Sequence, residues 1–196
     1  MPDFQFTIAE PTTKEELLAE LRRLHEASSV FWETFRTEEF FTPVGNGWSP
    51  AGNVRHLNKS IAPLGRALRL PRVLLRILFG TARTPSRPFA GLIEEYRTAT
   101  EQGGGAGSYA PEPVSVLGND DRKRVELMSR RQELTEQFWN AVESWREADL
   151  DRYRLPHPLM GKVTLREMLF FSLYHNYHHV RNVATRLQSV ASASVS

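Results

Sequence analysis

Apolar residues recur at helical spacing in four separate stretches of the chain, and each stretch predicts a main helix. The first stretch opens with Thr13 and Glu16, whose spacing is typical of a capping box at a helix start. We expect this helix to end before the turn region 43–47. The stripe predicted for its buried face is Leu17, Leu21, Leu24, Ser28, Phe31 and Phe35.

The second predicted helix opens at Ser49 and Pro50. A serine side chain accepts a hydrogen bond from the exposed amides of a helix start, and proline at the first helical position loses no hydrogen bond there. We expect Pro63 to end or kink this helix, because proline has no backbone N–H to donate. The side chains between these points that face the core are predicted to be Val54, His56, Leu57 and Ile61.

The third helix is predicted from about Asn119 to Trp145, and the fourth from a second capping box at 164–167 to about Leu187. The stripe of the third helix is Leu127, Leu134, Phe138, Val142 and Trp145. The fourth is apolar nearly all round, with Leu165, Met168, Leu169, Phe170, Phe171, Leu173 and Tyr174. Such a helix is typical of the middle of a bundle, where it touches several neighbours.

An irregular insert at about 66–118 separates the second and third helices. It contains a short candidate helix at 71–79, a segment near 92–98 and a flexible glycine-rich loop at 103–107. The Ser/Ala-rich tail at about 189–196 is expected to fray. No useful stretch alternates as a β-strand does, so the pattern predicts one all-α domain over the whole chain, built as a four-helix bundle.

Composition and charge narrow the function classes. The sequence contains no cysteine, which excludes a disulfide scaffold, a Cys-based zinc site and a cysteine nucleophile. No apolar run reaches about 18 residues, so we expect no transmembrane helix and no stable membrane insertion. Residues 1–10 are acidic where a signal peptide would be basic and then apolar, so the expected location is the cytoplasm. A net charge of +2 does not favour nucleic acid as a partner.

The charges are unevenly distributed, because no acidic residue occurs from Thr42 to Ile93. An anionic partner is expected to bind this segment. The series Arg66, Arg69, Arg72 and Arg76, interleaved with leucines, fits either an amphipathic helix at a membrane surface or a lid that buries its leucines on the bundle. We favour the lid. The basic residues of the acid-free segment are Arg55, Lys59, Arg66, Arg69, Arg72, Arg76, Arg83 and Arg87.

His175 and His179 are four residues apart on the fourth helix, about 40° apart around its axis and about 6 Å along it. Both continue the inward line of this apolar helix, so both need a partner that offsets desolvation, and a divalent metal satisfies both at once. The alternative is a pair of exposed or hydrogen-bonded histidines. His178 faces about 100° away from His179 and is expected at the rim.

A metal site of this type needs three or four ligands, and His56 on the second helix is the candidate for the third. The alternative is a core histidine with an ordinary hydrogen bond, since spacing alone does not bring the second and fourth helices together. His157, between two prolines, is interpreted as a loop residue, and His25 as a residue on the flank of the first helix.

Three segments resemble the DinB-like (YfiT-like) metalloprotein superfamily and come in its order. Segment 47–57 is similar to the signature W-S-x-x-x-x-x-x-H-L, segment 157–167 to the family's lead-in to its last helix, and segment 175–183 to its closing H-x-x-H-H helix. The resemblance implies a four-helix bundle with an unusual crossover. It also implies a divalent metal held by His56, His175 and His179. Because all three of these ligands are imidazoles, zinc or nickel is the expected ion.

The chain departs from the family pattern at two positions near these histidines. The family often has an acidic residue where Asn176 stands and glutamine where Asn182 stands. Asn176 and His178 are the residues that we expect to support the ligands by hydrogen bonds.

Three imidazole ligands leave a coordination position open, which is typical of a catalytic metal. With the resemblance, this favours a metal-dependent S-transferase that joins a low-molecular-weight thiol to a small electrophile, with Arg55 and Lys59 receiving the carboxylates of the thiol. The alternatives are a metal-dependent hydrolase, for which Glu167 lies about 12 Å from His175 along the axis and is too distant as a base, and a non-enzymatic stress or binding protein with a structural metal. A homodimer is left open.

Overall fold

Four long helices form the bundle. The computed structural model describes residues 6–111 and 121–193 of the chain. Helix α1 packs against α8, and α3 packs against α6. Short elements fill the connections between these helices. The bounds are α1 Lys14–Glu33, α2 Thr37–Phe41, α3 Pro50–Ala67, α4 Arg72–Phe79, α5 Phe89–Glu101, a 3-10 turn Gly107–Tyr109, α6 Asp121–Glu143, α7 Glu147–Arg152, β1 Arg154–His157, β2 Gly161–Thr164 and α8 Leu165–Ala193.

The predicted helix starts form as the sequence indicates. Thr13 and Glu16 make both hydrogen bonds of a capping box, each 3.1 Å long, and Ser49 Oγ accepts from the Gly52 N–H at 3.1 Å. Thr164 and Glu167 repeat the reciprocal arrangement at the start of α8. All six residues of the stripe predicted for the first helix are buried, and the all-α bundle is confirmed.

Two helices continue past the points at which the sequence indicated an end. Helix α3 continues through Pro63 to Ala67, because burial of Ile61 and Leu64 in the core outweighs the one hydrogen bond that proline removes. Helix α8 continues to Ala193, although a frayed tail was expected from about Ser189. The Ser189 hydroxyl donates to a backbone carbonyl four residues earlier, so it is satisfied within the helix. The predicted start of the third helix at Asn119 lies outside the described residues.

The insert is more regular than the sequence suggests, because it contains α4, α5 and the 3-10 turn. Its first helix forms the expected lid only in part, since Phe79 packs against the core. Leu75 is buried, but Ile77 and Leu78 are 70% and 51% exposed. Helix α4 therefore contacts the bundle through a narrow face. Within the described residues, no helix is long and apolar enough to cross a membrane.

A short β-hairpin, which the sequence pattern did not predict, precedes α8. Strands β1 and β2 pair antiparallel, with Arg154 opposite Thr164 and His157 opposite Gly161. Gly161 has φ +67°, a conformation that glycine adopts without steric cost at the turn. The interpretation of His157 as a loop residue is wrong, because it ends β1 and only 6% of it is exposed.

Candidate metal centre

The fold brings together the three histidines that were named as metal ligands. His56 projects from α3, and His175 and His179 project from successive turns of α8. The Nε2 atom of His175 lies 2.8 Å from Nε2 of His56 and 3.1 Å from Nε2 of His179. Each of the three side chains is more than nine-tenths buried, and together they could hold a metal ion.

A backbone carbonyl orients the ring of His56. Nδ1 of His56 lies 2.8 Å from the carbonyl oxygen of Tyr109, in the 3-10 turn. A carbonyl oxygen can only accept, so we assign the proton of His56 to Nδ1. Its Nε2 atom therefore presents a lone pair to the cluster.

Asn53 orients His179 in the same way. Nδ1 of His179 lies 2.7 Å from Oδ1 of Asn53, and the amide nitrogen of Asn53 donates to the Ser49 carbonyl at 2.9 Å. The bond to Ser49 places the oxygen of the amide toward His179, so Nδ1 of His179 carries the proton. Nε2 of His179 consequently also presents a lone pair. Hydrogen bonds of this kind to the other ring nitrogen are typical of histidines that bind metals.

The donor set fits a cation. Two lone pairs, from His56 and His179, face the single Nε2 atom of His175. If Nε2 of His175 carries a proton, it can donate to only one of these two lone pairs. If it carries none, three lone pairs face one another. A divalent metal accepts all three, so the arrangement of neutral imidazoles matches the ligand chemistry of zinc or nickel.

Burial keeps these histidines in the neutral form that binds metal. Desolvation lowers the pKa of His175 and His179 well below 6.5, and the neighbouring imidazoles lower it further. Desolvation also lowers the pKa of His56, while its bond to the Tyr109 carbonyl acts in the opposite direction. Near neutral pH all three imidazoles are therefore neutral, and each has one ring nitrogen without a proton.

The cluster lies in the wall of a cavity of about 460 Å³, which we call the inner cavity. Phe171 stacks on His175, with ring centroids 5.0 Å apart, and Trp48 stacks on His179 at 5.8 Å. The lining is mostly apolar and, among the described residues, includes no Asp, Glu, Lys or Arg. The remaining walls come from α5, the 3-10 turn and the inward face of the hairpin.

The expectation that Asn176 supports the ligands is wrong. Its amide oxygen accepts from Arg131 at 2.9 Å, and its amide nitrogen donates to Ser28 Oγ and to the Leu24 carbonyl. Asn176 follows His175 by about 100° around the helix, which directs it toward α1 and α6. The supporting hydrogen bonds come instead from Asn53 and from the Tyr109 carbonyl.

The other predicted residues lie at or beyond the rim. His178 lines the inner cavity, and its Nε2 lies 2.9 Å from the amide nitrogen of Asn182. Arg55 and Lys59 are not among the lining residues, and the Lys59 ammonium donates to the Ala110 carbonyl at 3.3 Å. Neither side chain lines the inner cavity, although the charge of Lys59 is close enough to lower the pKa of His56.

His157 is a residue of the inner cavity that the sequence did not identify. Its Nδ1 accepts from the backbone N–H groups of Leu159 and Met160, both at 3.2 Å, so the proton is on Nε2. Nε2 has no hydrogen-bond partner among the described atoms. Desolvation, and to a lesser extent the charge of Arg87, lowers the pKa of His157 to about 4.

Solved structures share this fold. YfiT from Bacillus subtilis, described as a probable metal-dependent hydrolase with an unusual four-helix bundle topology, is 16% identical, with a TM-score of 0.58 over 96% of this chain and 98% of that one. The four-helix bundle protein TT2238 is 17% identical, with a TM-score of 0.53 over 88% and 99% of the two chains. No curated protein matches the chain.

The colibactin self-resistance protein ClbS, solved in complex with double-stranded DNA, is 15% identical, with a TM-score of 0.53 over 92% of this chain and 98% of that one. At these identities the likeness concerns the fold alone. The family model of the DinB superfamily matches residues 28–183, which include the three histidines. This chain belongs to the DinB superfamily.

Proposed function

We propose that this protein is a metal-dependent S-transferase that joins a low-molecular-weight thiol to a small electrophile. A divalent ion, zinc or nickel, would be held by His56, His175 and His179. The observation that carries the proposal is the convergence of three neutral imidazole donors on one wall of an apolar cavity. Bound there with an open coordination position, the ion lowers the pKa of a thiol and favours its nucleophilic thiolate form.

The inner cavity suits an uncharged electrophile. Trp48, Tyr96 and Phe171 supply aromatic walls, and burial of an apolar substrate against them is favourable. In the reaction, sulfur forms a bond to the electrophilic carbon, and the leaving group departs with its electron pair. The thiol proton is released to solvent. The sequence has no cysteine of its own to compete for the site.

The two cations that the sequence predicted to receive the carboxylates of the thiol do not support the proposal. Arg55 and Lys59 lie outside the lining of the inner cavity. A thiol without a carboxylate should therefore serve as well as one with a carboxylate, and the thiol is selected by size and by its sulfur.

A metal-dependent hydrolase is the second candidate, favoured by the description of YfiT. A general base close to the reacting water would strengthen the case for a hydrolase. No described residue of the cavity lining is a carboxylate, and Glu167 is bound by Arg87 and by the Thr164 N–H. Among the described residues, the lining therefore supplies no carboxylate that could act as the base for hydrolysis.

The test begins with the metal content of the purified protein, expected near one divalent ion per chain. Cobalt-substituted protein is then titrated with cysteamine and with N-acetylcysteine. We expect a near-ultraviolet sulfur-to-metal band with both thiols, and its loss in His175→Ala. Turnover of an aryl chloride should give the thioether and chloride. Formation of the hydrolysis product with no thioether would move the conclusion to the hydrolase.

A further inference from the structure

A second cavity lies on the other side of the hairpin, between β1–β2 and the segment 81–87. Its volume is about 380 Å³, and it shares no lining residue with the inner cavity. We call it the outer cavity. Most of its lining is polar, and its described walls are Thr81, Ala82, Arg83, Thr84, Pro85, Arg87, Arg154, Met160, Lys162, Thr164 and Glu167.

Two features form this cavity. They are the alternation of side chains along the hairpin strands and one backbone pairing. Successive side chains of a strand face opposite sides, so Arg154 and Lys162 face outward while Leu155 and Val163 are buried. Thr81 pairs with Tyr153, and the Ala82 N–H donates to the Arg152 carbonyl at 2.8 Å. This pairing brings the end of the acid-free segment alongside β1.

The charges of the outer cavity do not balance. Its lining contains four cationic side chains and one carboxylate, Glu167. Glu167 is already used by Arg87, which donates to it from Nε at 2.8 Å, from Nη2 at 3.0 Å and from its backbone N–H at 2.8 Å. Within the described part of the chain, Arg83, Arg154 and Lys162 have no carboxylate within 4.0 Å.

Single exposed cations on a protein surface are ordinarily hydrated and need no ligand. Here three of them line one cavity from two separate chain segments, and like charges held together repel one another. The only side-chain hydrogen bond of Arg154 in the described structure goes to the Lys162 carbonyl, at 2.6 Å, which leaves its charge uncompensated. A bound anion would relieve the repulsion and accept the remaining donors.

We propose that the outer cavity binds a phosphate group carried by a small molecule or a lipid headgroup. Arg83, Arg154 and Lys162 supply three positive charges, which match the two negative charges of a phosphate monoester better than the single charge of a carboxylate. The hydroxyls of Thr81 and Thr84 line the same cavity and add donors. This site is separate from the metal centre and does not depend on the proposed function.

The test is calorimetric titration of the metal-loaded full chain with inorganic phosphate, at ionic strength held constant with sodium chloride. We expect Arg83→Gln and Lys162→Gln each to weaken binding about tenfold. Arg66→Gln is the matched control, because Arg66 is an exposed residue of the same acid-free segment that lines neither cavity. It should leave the affinity unchanged, as should His175→Ala, which removes a metal ligand.

Vesicles of phosphatidylcholine with and without phosphatidic acid distinguish a lipid source from a free one. Binding that needs phosphatidic acid and Lys162 assigns a lipid headgroup, whereas binding of inorganic phosphate without vesicle binding assigns a soluble ligand. The proposal is overturned if neither probe binds, if Arg66→Gln weakens binding as much as Lys162→Gln, or if His175→Ala abolishes it. Circular dichroism of each variant confirms that it is folded.

Discussion

The two faces of the β1–β2 hairpin carry side chains of opposite character, although they alternate along the same eight residues. On the inner face, His157 borders the cavity of the metal centre and is held neutral by burial. On the outer face, Arg154 is half-buried and Lys162 is exposed, and both line the outer cavity. The difference shows that the alternation of side chains along a strand places a desolvated imidazole on one face and solvent-accessible cations on the other.

The two cavities also differ in how completely their polar groups are satisfied. On the inner side, His56 and His179 each have a hydrogen-bond partner for the ring nitrogen that faces away from the cluster. On the outer side, Arg83 and Lys162 have no carboxylate partner in the described structure. Most buried polar groups have such partners, whereas hydrated ones do not need them. The exception on the inner side is Nε2 of His157, which has none among the described atoms. Substitutions on the two sides should therefore differ in size and kind.

The largest effect is expected when a metal ligand is removed. His175→Ala should weaken metal binding by more than about 100-fold, because its Nε2 lies between the two other donors. Competition with a coloured chelator measures the affinity. Lys162→Ala, on the outer face, is the control and should leave it unchanged. Equal affinities of wild type and His175→Ala would show that the metal does not bind at this cluster.

His157 should make folding stability pH-dependent on the inner face. Its pKa is about 4 in the folded chain against an ordinary value of 6.5, so its contribution is complete above 6.5 and is lost as the pH falls toward 4. Between these values wild type should lose about 2–3 kcal/mol more than His157→Leu. Urea unfolding of both proteins at a series of pH values measures this. Parallel pH profiles would show that His157 is not held neutral by the fold.

Asn53→Leu should weaken metal binding about 10- to 100-fold, because it removes the acceptor that orients His179. The matched control is Asn182→Leu, which removes a similar amide from His178 and touches none of the three ligands. If both variants lose affinity equally, orientation of His179 by Asn53 is not the cause.

Glu167→Gln should destabilise the fold by about 1–2 kcal/mol at pH 7, since it weakens the bonds to Arg87 and to the helix start. Burial raises the pKa of Glu167, but hydrogen bonds from Arg87 and Thr164 outweigh it and hold the pKa below 4.5. The contribution is therefore lost as the pH falls through that lowered value. Wild type and variant should converge in urea unfolding at low pH, and a constant difference would contradict this account.

The smallest effect is expected for Arg154→Gln on the outer face. Within the described residues, its side chain makes one hydrogen bond, to the Lys162 carbonyl, in a hydrated setting. The free energy of unfolding should change by less than about 0.5 kcal/mol. A larger loss in urea unfolding would mean that the outer face contributes to the packing of the hairpin.

Local signals explain which elements the sequence could predict. Thr13, Ser49 and Thr164 mark helix starts through contacts with residues three positions away, and these contacts form. Helix ends were predicted less well, because packing overrides the strong preference of Pro63 against a helix interior. The hydroxyl of Ser189 is satisfied by a hydrogen bond within its own helix. The hairpin was missed because its four-residue strands are too short for alternation to be read.

The candidate ligands were identified from the sequence in two ways. His175 and His179 share a face of one helix, so their proximity follows from spacing alone. His56 was a candidate from its place on the second helix, but only the resemblance to a family grouped it with the other two, since nothing local places α3 against α8. Asn53 and the carbonyl of Tyr109 could not be found, because an amide and a peptide oxygen carry no distinguishing sequence pattern.

The sequence by itself determined the four helices, their buried stripes and the pairing of His175 with His179, because these depend on contacts within one turn or two of helix. Only the tertiary structure decided that His56 completes the cluster, that Asn176 turns to α1 and Arg131, and that Arg83 and Lys162 line the same cavity. Those contacts join residues far apart in the chain. Their geometry is set by how whole helices and the hairpin pack, which no local preference encodes.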